Sequence, residues 1–131
     1  MTRTLSWKRT SGRDKVLGRR MGAREERIGL NEAVFREVNE RIENLAETFD
    51  LASEQLDLVC ECGSADCVER VTMTHPEYDE LRSDSQHFAV YPGHEIPDVE
   101  RVVERRKGYH VVEKIKGAPE RIAEQTDPRR A

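Results

Sequence analysis

Long apolar runs are missing from this chain of 131 residues. A membrane-spanning helix needs about 20 mostly apolar residues, and no run of even about 18 occurs, so the sequence excludes a membrane span. The N-terminus is basic but lacks the apolar stretch of a secretory signal. We therefore expect a cytoplasmic protein without membrane contact.

Apolar residues are also scarce overall. Only 36% of the residues are hydrophobic and 5% are aromatic, whereas 37% are charged. A chain of this length can fold as one domain around a core. The core must be modest, however, and a bound metal ion would add usefully to the stability of such a domain.

The chain contains only three cysteines, and an odd number excludes a complete set of intrachain disulfides. Such usage is typical of a reducing compartment, where thiols stay free or bind metal. Common catalytic motifs are absent: there is no H-E-x-x-H, G-x-S-x-G, phosphate-binding P-loop or dinucleotide glycine pattern. The segment Cys67-Val68-Glu69 lacks the P-C-x-x-C that a zinc deaminase would require. An enzyme is therefore the less favoured interpretation.

Positive charge is concentrated at the start of the chain. Residues 1–29 contain nine Lys or Arg and three Asp or Glu, a balance of +6, whereas residues 30–131 have a balance of −10 within the net charge of −4. An acidic body is a poor general nucleic-acid binder. Residues 1–29, which we call the basic arm, can contact phosphate or an acidic partner, and their glycine-rich composition predicts disorder.

The clearest helix prediction covers residues 31–49. Its apolar residues are spaced by three or four positions, which is typical of a helix that packs through one face; they are Leu30, Val34, Val38, Ile42, Leu45 and Phe49. We predict that this face packs on a sheet. The opposite face is predicted to be solvated; it contains Arg36, Glu40, Glu43 and Glu47.

Alternating and valine-rich segments predict strands over residues 56–60, 67–73 and 88–91, and a hairpin of residues 99–105 and 109–115. A helix over residues 101–106 is the alternative for the first arm of that hairpin. Thr74 and Glu77 form a capping-box pattern before a short helix that starts at Pro76. The predicted fold class is α+β: an N-terminal helix packed on a small, mainly antiparallel sheet, with a short inserted helix.

All three cysteines lie within eight residues, in the pattern C-x-C-x4-C formed by Cys60, Cys62 and Cys67. We call them the cysteine cluster. Several soft thiolates close together suit zinc, which is bound tetrahedrally by sulfur and imidazole nitrogen. Unrelated buried thiols are the alternative that this proximity disfavours, and a reversible redox cluster is the stronger rival. We expect a zinc knuckle at the tip of a hairpin.

A fourth ligand must come from the four histidines. His94 follows the Pro92-Gly93 turn, and a rigid turn of this kind can present an imidazole. Turn chemistry therefore ranks His94 first and His75 second, with His87 and His110 behind them.

Four segments together resemble a family of small uncharacterised actinobacterial proteins. They are residues 35–42, the cysteine cluster with Gly63, the segment Tyr91-Pro92-Gly93-His94-Glu95, and residues 99–105. The resemblance covers about residues 22–115. Members typically begin near the position of Met21, so we expect residues 1–20 to depart from the pattern. The resemblance implies that Cys60, Cys62, Cys67 and His94 are the four metal ligands, and it brings no established activity.

These patterns divide the chain into the disordered basic arm (1–29), one zinc-binding α+β domain (30–117) and a charged, flexible tail (118–131). The leading functional interpretation is a non-catalytic, zinc-stabilised domain that binds a partner protein or nucleic acid, with gene regulation as the candidate process. The first alternative is a cytosolic thiol redox or metal sensor. The second is a small metalloenzyme with an open zinc position.

Overall fold

The structure is a computed structural model that describes residues 16–49 and 55–130, with side chains described from residue 22 onward. The elements follow one another along the chain as α1 (Val16–Thr48), β1 (Gln55–Val59), β2 (Arg70–Thr74), α2 (His75–Arg82), β3 (His87–Val90), β4 (Glu100–Arg106), β5 (Tyr109–Lys114) and α3 (Ala118–Gln125). None of the helices in this part of the chain has an apolar stretch long enough to cross a membrane.

The strands form two small antiparallel sheets. Strands β1 and β2 pair as a hairpin in which Leu58 lies opposite Val71, and the second sheet has the order β3-β5-β4. Inward-facing residues alternate with exposed ones along β1 and β2, as period-two strands require. The predicted α+β class, a helix packed on small antiparallel strands with a short inserted helix, is confirmed.

Helix α2 begins as the sequence predicts. The Thr74 hydroxyl accepts a hydrogen bond from the backbone N–H of Glu77, and the Glu77 side chain accepts one from the N–H of Thr74. This reciprocal pair satisfies two amides that have no partner within the helix. Tyr78 and Leu81 then point inward and join the core formed with Leu58, Val71, Met73 and Ala89.

The predicted orientation of α1 is wrong. Leu30, Val34 and Leu45 are 52%, 60% and 59% exposed, and Val38 and Phe49 are exposed as well, whereas Ile42 alone among the predicted stripe packs against the core. The residues predicted to be solvated are mostly buried: Arg36 is fully buried, and Glu40 and Glu43 nearly so. Only Glu47 of that set is exposed.

Polar partners explain the burial of this face. Arg36 donates hydrogen bonds to the carbonyl oxygens of Ser85 and Ala123, at 2.8 and 2.7 Å, and its guanidinium lies 4.4 Å from the centre of the Phe88 ring. Lys114 contacts Glu32 at 2.7 Å and Glu100 at 2.7 Å. Buried polar groups are tolerated when they are paired in this way, so the helix docks through hydrogen bonds and ion pairs.

The two ends of the predicted domain also differ from expectation. Helix α1 begins at Val16, so the second half of the basic arm is helical, while residues 1–15 lie outside the described part. The predicted flexible tail contains α3, which buries Pro119 and Ala123. Beyond it, Arg129 bonds to Glu40 at 2.7 Å and to Glu43 at 2.9 Å. The tail therefore packs on α1.

Candidate metal centre

The cysteine cluster lies in the loop that joins β1 to β2. Cys60 continues directly from β1, and its backbone N–H donates to the carbonyl of Glu69 at 3.1 Å, so the hairpin pairing extends to the first ligand position. The chain then turns, with the N–H of Cys67 donating to the carbonyl of Ser64 at 3.2 Å. This turn returns the third cysteine to the first two.

His94 reaches the cluster from a different part of the fold. Its backbone N–H donates to the carbonyl of Tyr91 at 2.9 Å, and Gly93 between them has φ = 92°. A turn with proline followed by a residue at positive φ favours glycine at that second position. The turn follows β3, so the imidazole comes from the neighbouring sheet.

The four side chains converge on one small volume. Ligand atoms from Cys60, Cys62, Cys67 and His94 all lie within 4.8 Å of one another. The Nδ1 atom of His94 lies 3.6 Å from the Cys60 sulfur and 3.5 Å from the Cys67 sulfur. In a tetrahedron with Zn–S of about 2.3 Å and Zn–N of about 2.0 Å, the sulfur–nitrogen edge is about 3.5 Å. The donor set and its spacing therefore fit a tetrahedral metal site.

Backbone amides support the sulfur atoms. The N–H of Tyr91 donates to the Cys60 sulfur at 3.1 Å. The backbone of Ser64 and that of Glu69 hydrogen bond to Cys62 and Cys67. Each of these bonds favours the thiolate, which is the form that binds metal.

The pKa values of the thiols diverge because the sulfurs share protons. A hydrogen bond from Cys60 lowers the pKa of Cys62 to about 5. The same hydrogen bond, followed by burial, raises the pKa of Cys60 far above its usual range, and burial raises the pKa of Cys67. Metal binding requires all three thiolates, so it releases the protons that the cluster still holds.

Glu61, between the first two cysteines, is a residue whose role the sequence did not reveal. Its side chain is fully buried on the side away from the cluster. Its carboxylate accepts hydrogen bonds from Asn39 and Tyr78, both at 2.8 Å, and from the N–H of Ala89 at 3.0 Å. It ties the ligand loop to α1, α2 and β3, and holds Cys60 and Cys62 in place.

Gly63 is required for a different reason than loop flexibility. A Cβ atom at this position would lie 2.5 Å from the side chain of Ile28 on α1. The carbonyl of Gly63 accepts a hydrogen bond from Asn31 at 2.8 Å. The loop therefore lies directly against the helix, and a larger residue would push them apart.

The other three histidines lie away from the cluster. His75 pairs with Glu43 at 3.1 Å, and His110 lies on β5. His87 lies beside Asp84 and Glu113, at 3.5 and 3.7 Å. These three residues form a second group with metal-compatible spacing. Glu113 also pairs with Arg101 at 3.0 Å, so part of that group already has a protein partner.

Comparison of the chain with protein-family models, with curated proteins and with solved structures gave no match.

Proposed function

We propose that this protein is a non-catalytic domain stabilised by one zinc ion, and that its folded surface binds a macromolecular partner. The convergence of three thiols and one imidazole within 4.8 Å is the observation that supports it. Sulfur-rich sites of this composition favour zinc over magnesium or calcium, which prefer oxygen ligands. The wider process we propose for this partner binding is gene regulation.

The ligand count favours a structural ion. Four protein ligands complete a tetrahedron, and a catalytic zinc keeps one position for water or substrate. Cys60 and Cys62 are also buried among the apolar residues Phe88, Val90 and Val112. An ion here would link the β1–β2 hairpin to the second sheet. This favours a closed, structural role over an open-site metalloenzyme.

Elemental analysis of protein purified without added metal tests the proposal. We expect about one zinc per chain. His94→Ala should lower the zinc content, His94→Cys should retain zinc because four cysteines also form a tetrahedral site, and His110→Ala is the matched control that should change nothing. Metal-free protein with three freely titrating thiols would contradict the proposal.

A partner in the form of nucleic acid would contact the basic arm, because the remainder of the chain is acidic. Binding to a labelled duplex should then fall steeply with added salt and be lost when residues 1–15 are deleted. Duplex binding that survives the deletion would place the contact on the rest of the chain, and no binding to the duplex at all would favour a protein partner.

Thiol sensing is the second candidate, and the exposure of Cys67 favours it. Cys60 and Cys62 are buried, whereas Cys67 is only partly buried. An accessible thiol beside a low-pKa thiolate can be oxidised reversibly. Zinc release under mild peroxide, followed with a colorimetric chelator, separates the two candidates. Rapid release that a thiol reductant reverses supports sensing, whereas resistance supports a structural ion.

A further inference from the structure

The exposed face of α1 is an apolar surface that the described part of the chain does not cover. It contains Leu30, Val34, Val38, Leu45 and Phe49, with Arg41 between Val38 and Leu45. We call it the outer face. From Leu30 to Phe49 it extends over about 28 Å at 1.5 Å per residue. An apolar patch of this extent on a small domain indicates an interaction surface.

The spacing of the outer face identifies what fits it. The six residues, Leu30, Val34, Val38, Arg41, Leu45 and Phe49, follow at intervals of four, four, three, four and four. This series is the same from either end. A twofold axis perpendicular to the helix therefore brings each of these positions opposite another of them, although the residue types at paired positions differ.

From this we infer that a second copy of the chain packs on the outer face, with the two α1 helices antiparallel. The twofold axis then lies between Val38 and Arg41. Leu30 of one copy faces Phe49 of the other, and Val34 faces Leu45. The helix dipoles oppose one another in this arrangement, which is favourable.

Two charged residues support the same antiparallel alignment of the helices. Glu37 and Arg41 are exposed, and none of the ion pairs among the described residues uses either of them. In the antiparallel pair, Arg41 of one copy lies beside Glu37 of the other, and its aliphatic stem covers Val38. Two symmetric ion pairs then flank the centre of the interface, where they favour this alignment over shifted ones.

The end of the outer face provides a cavity for the largest side chain. A groove of about 570 Å³ lies between α1 and the end of α3, lined by Leu30, Ala33 and Val34 on one side and by residues 125–128 on the other. The register places Phe49 of the second copy opposite Leu30, at this groove. A phenyl ring buried in a groove is the kind of anchor that dominates interface energetics.

Sedimentation equilibrium of the full chain tests the inference, over a concentration range from about 1 to about 300 μM. A contact made mainly by one helix is smaller than the about 800 Å² per partner of standard interfaces, so we expect a micromolar dimer. A chain that stays monomeric throughout would overturn the inference and leave the outer face to another segment or to a different protein.

Variants test the register. Leu45→Glu should weaken dimerisation at least about a hundredfold, because it places unpaired carboxylates in the interface. Val103→Glu is the matched control, since Val103 is an exposed valine on β4 away from the outer face, and it should leave the dimer unchanged. Equal dimerisation of Leu45→Glu and wild type would overturn the inference.

Exchanging the charges of Glu37 and Arg41 distinguishes the antiparallel dimer from other contacts between two copies. It leaves the apolar residues of the interface unchanged. Glu37→Arg and Arg41→Glu should each weaken the dimer, and the double variant should restore it, because the exchanged residues face each other again. Failure of the double variant to recover would overturn the proposed alignment.

Discussion

The inner and outer faces of α1 reverse the usual division of an amphipathic helix. The inner face buries Glu32, Arg36 and Asn39, whereas the outer face exposes Leu30 and Val34. A surface helix normally turns its apolar stripe toward the core. Hydrophobicity alone therefore does not decide which face of this helix is buried.

Satisfied polar contacts decide it instead. Asn39 donates to the carbonyl of Val59 and accepts from the N–H of Val59, both at 2.9 Å, so its amide extends the pairing of β1. A buried polar group without a partner costs about 1–3 kcal/mol, whereas a paired one is nearly neutral or stabilising. Such a face tolerates only one alignment, because any shift of the helix would leave several groups unpaired.

Loss of the buried cation should give the largest effect on this face. Lys114→Met leaves Glu32 and Glu100 buried without the ammonium group that separates them. We expect a loss of about 3–5 kcal/mol in the free energy of unfolding, measured by urea denaturation. Lys116→Met, on an exposed lysine two residues later, is the control. Equal stabilities of the two variants would show that the inner face does not depend on the contacts of Lys114.

Removal of the Asn39 amide should have the next largest effect. Asn39→Leu leaves both backbone groups of Val59 and the carboxylate of Glu61 short of a partner. The expected loss is about 2–3 kcal/mol. Asn44→Leu, at an exposed position of the same helix, should change stability by less than about 0.5 kcal/mol. A comparable loss at both positions would remove the distinction between the faces.

The inner face should also produce a pH dependence of stability. Burial raises the pKa of Glu32 from 4.5 to about 8. Between these values the folded state keeps a proton that the unfolded state releases, so this group makes stability fall as the pH rises toward 8. Glu32→Gln should flatten the fall between about pH 5 and pH 8 by on the order of 3 kcal/mol.

Glu47→Gln is the matched control for that experiment, because Glu47 is an exposed carboxylate on the same helix. Its pH profile should parallel that of the wild type. Urea denaturation at each pH, with zinc present throughout, provides the measurement. A Glu32→Gln profile that also parallels the wild type would mean that Glu32 is not held protonated.

Substitutions on the outer face should have the smallest effect on the free energy of unfolding of the monomer. Val34→Ser should change the stability of the monomer by less than about 0.5 kcal/mol, since the Val34 side chain is 60% exposed and loses little apolar contact within the chain. The measurement requires a protein concentration at which the chain is monomeric. A loss above about 1 kcal/mol would show that the outer face supports the fold of one chain, and the contrast between the faces would then be misplaced.

Local sequence patterns predicted much of the fold. Alternation in β1 and β2, the capping box of Thr74 and Glu77, and the hairpin of β4 and β5 all depend on residues within a few positions of one another. The spacing of Cys60, Cys62 and Cys67 within eight residues likewise predicted that their side chains lie close together. Short-range rules suffice for such features, because hydrogen bonding and turn geometry act between near neighbours.

The tertiary structure alone decided the orientation of α1, the packing of α3 and the role of Glu61. Glu32 meets Lys114 at a separation of 82 residues, and Arg129 meets Glu40 at a separation of 89. No local pattern reports whether such a distant partner exists. A charged residue is predicted to be solvated until its partner is known, because burial costs most for groups that remain unpaired. The sequence by itself determined the strands, helix α2 and the residue types that could hold a metal ion. The long-range pairing of polar and charged groups determined which face of the longest helix lies inside.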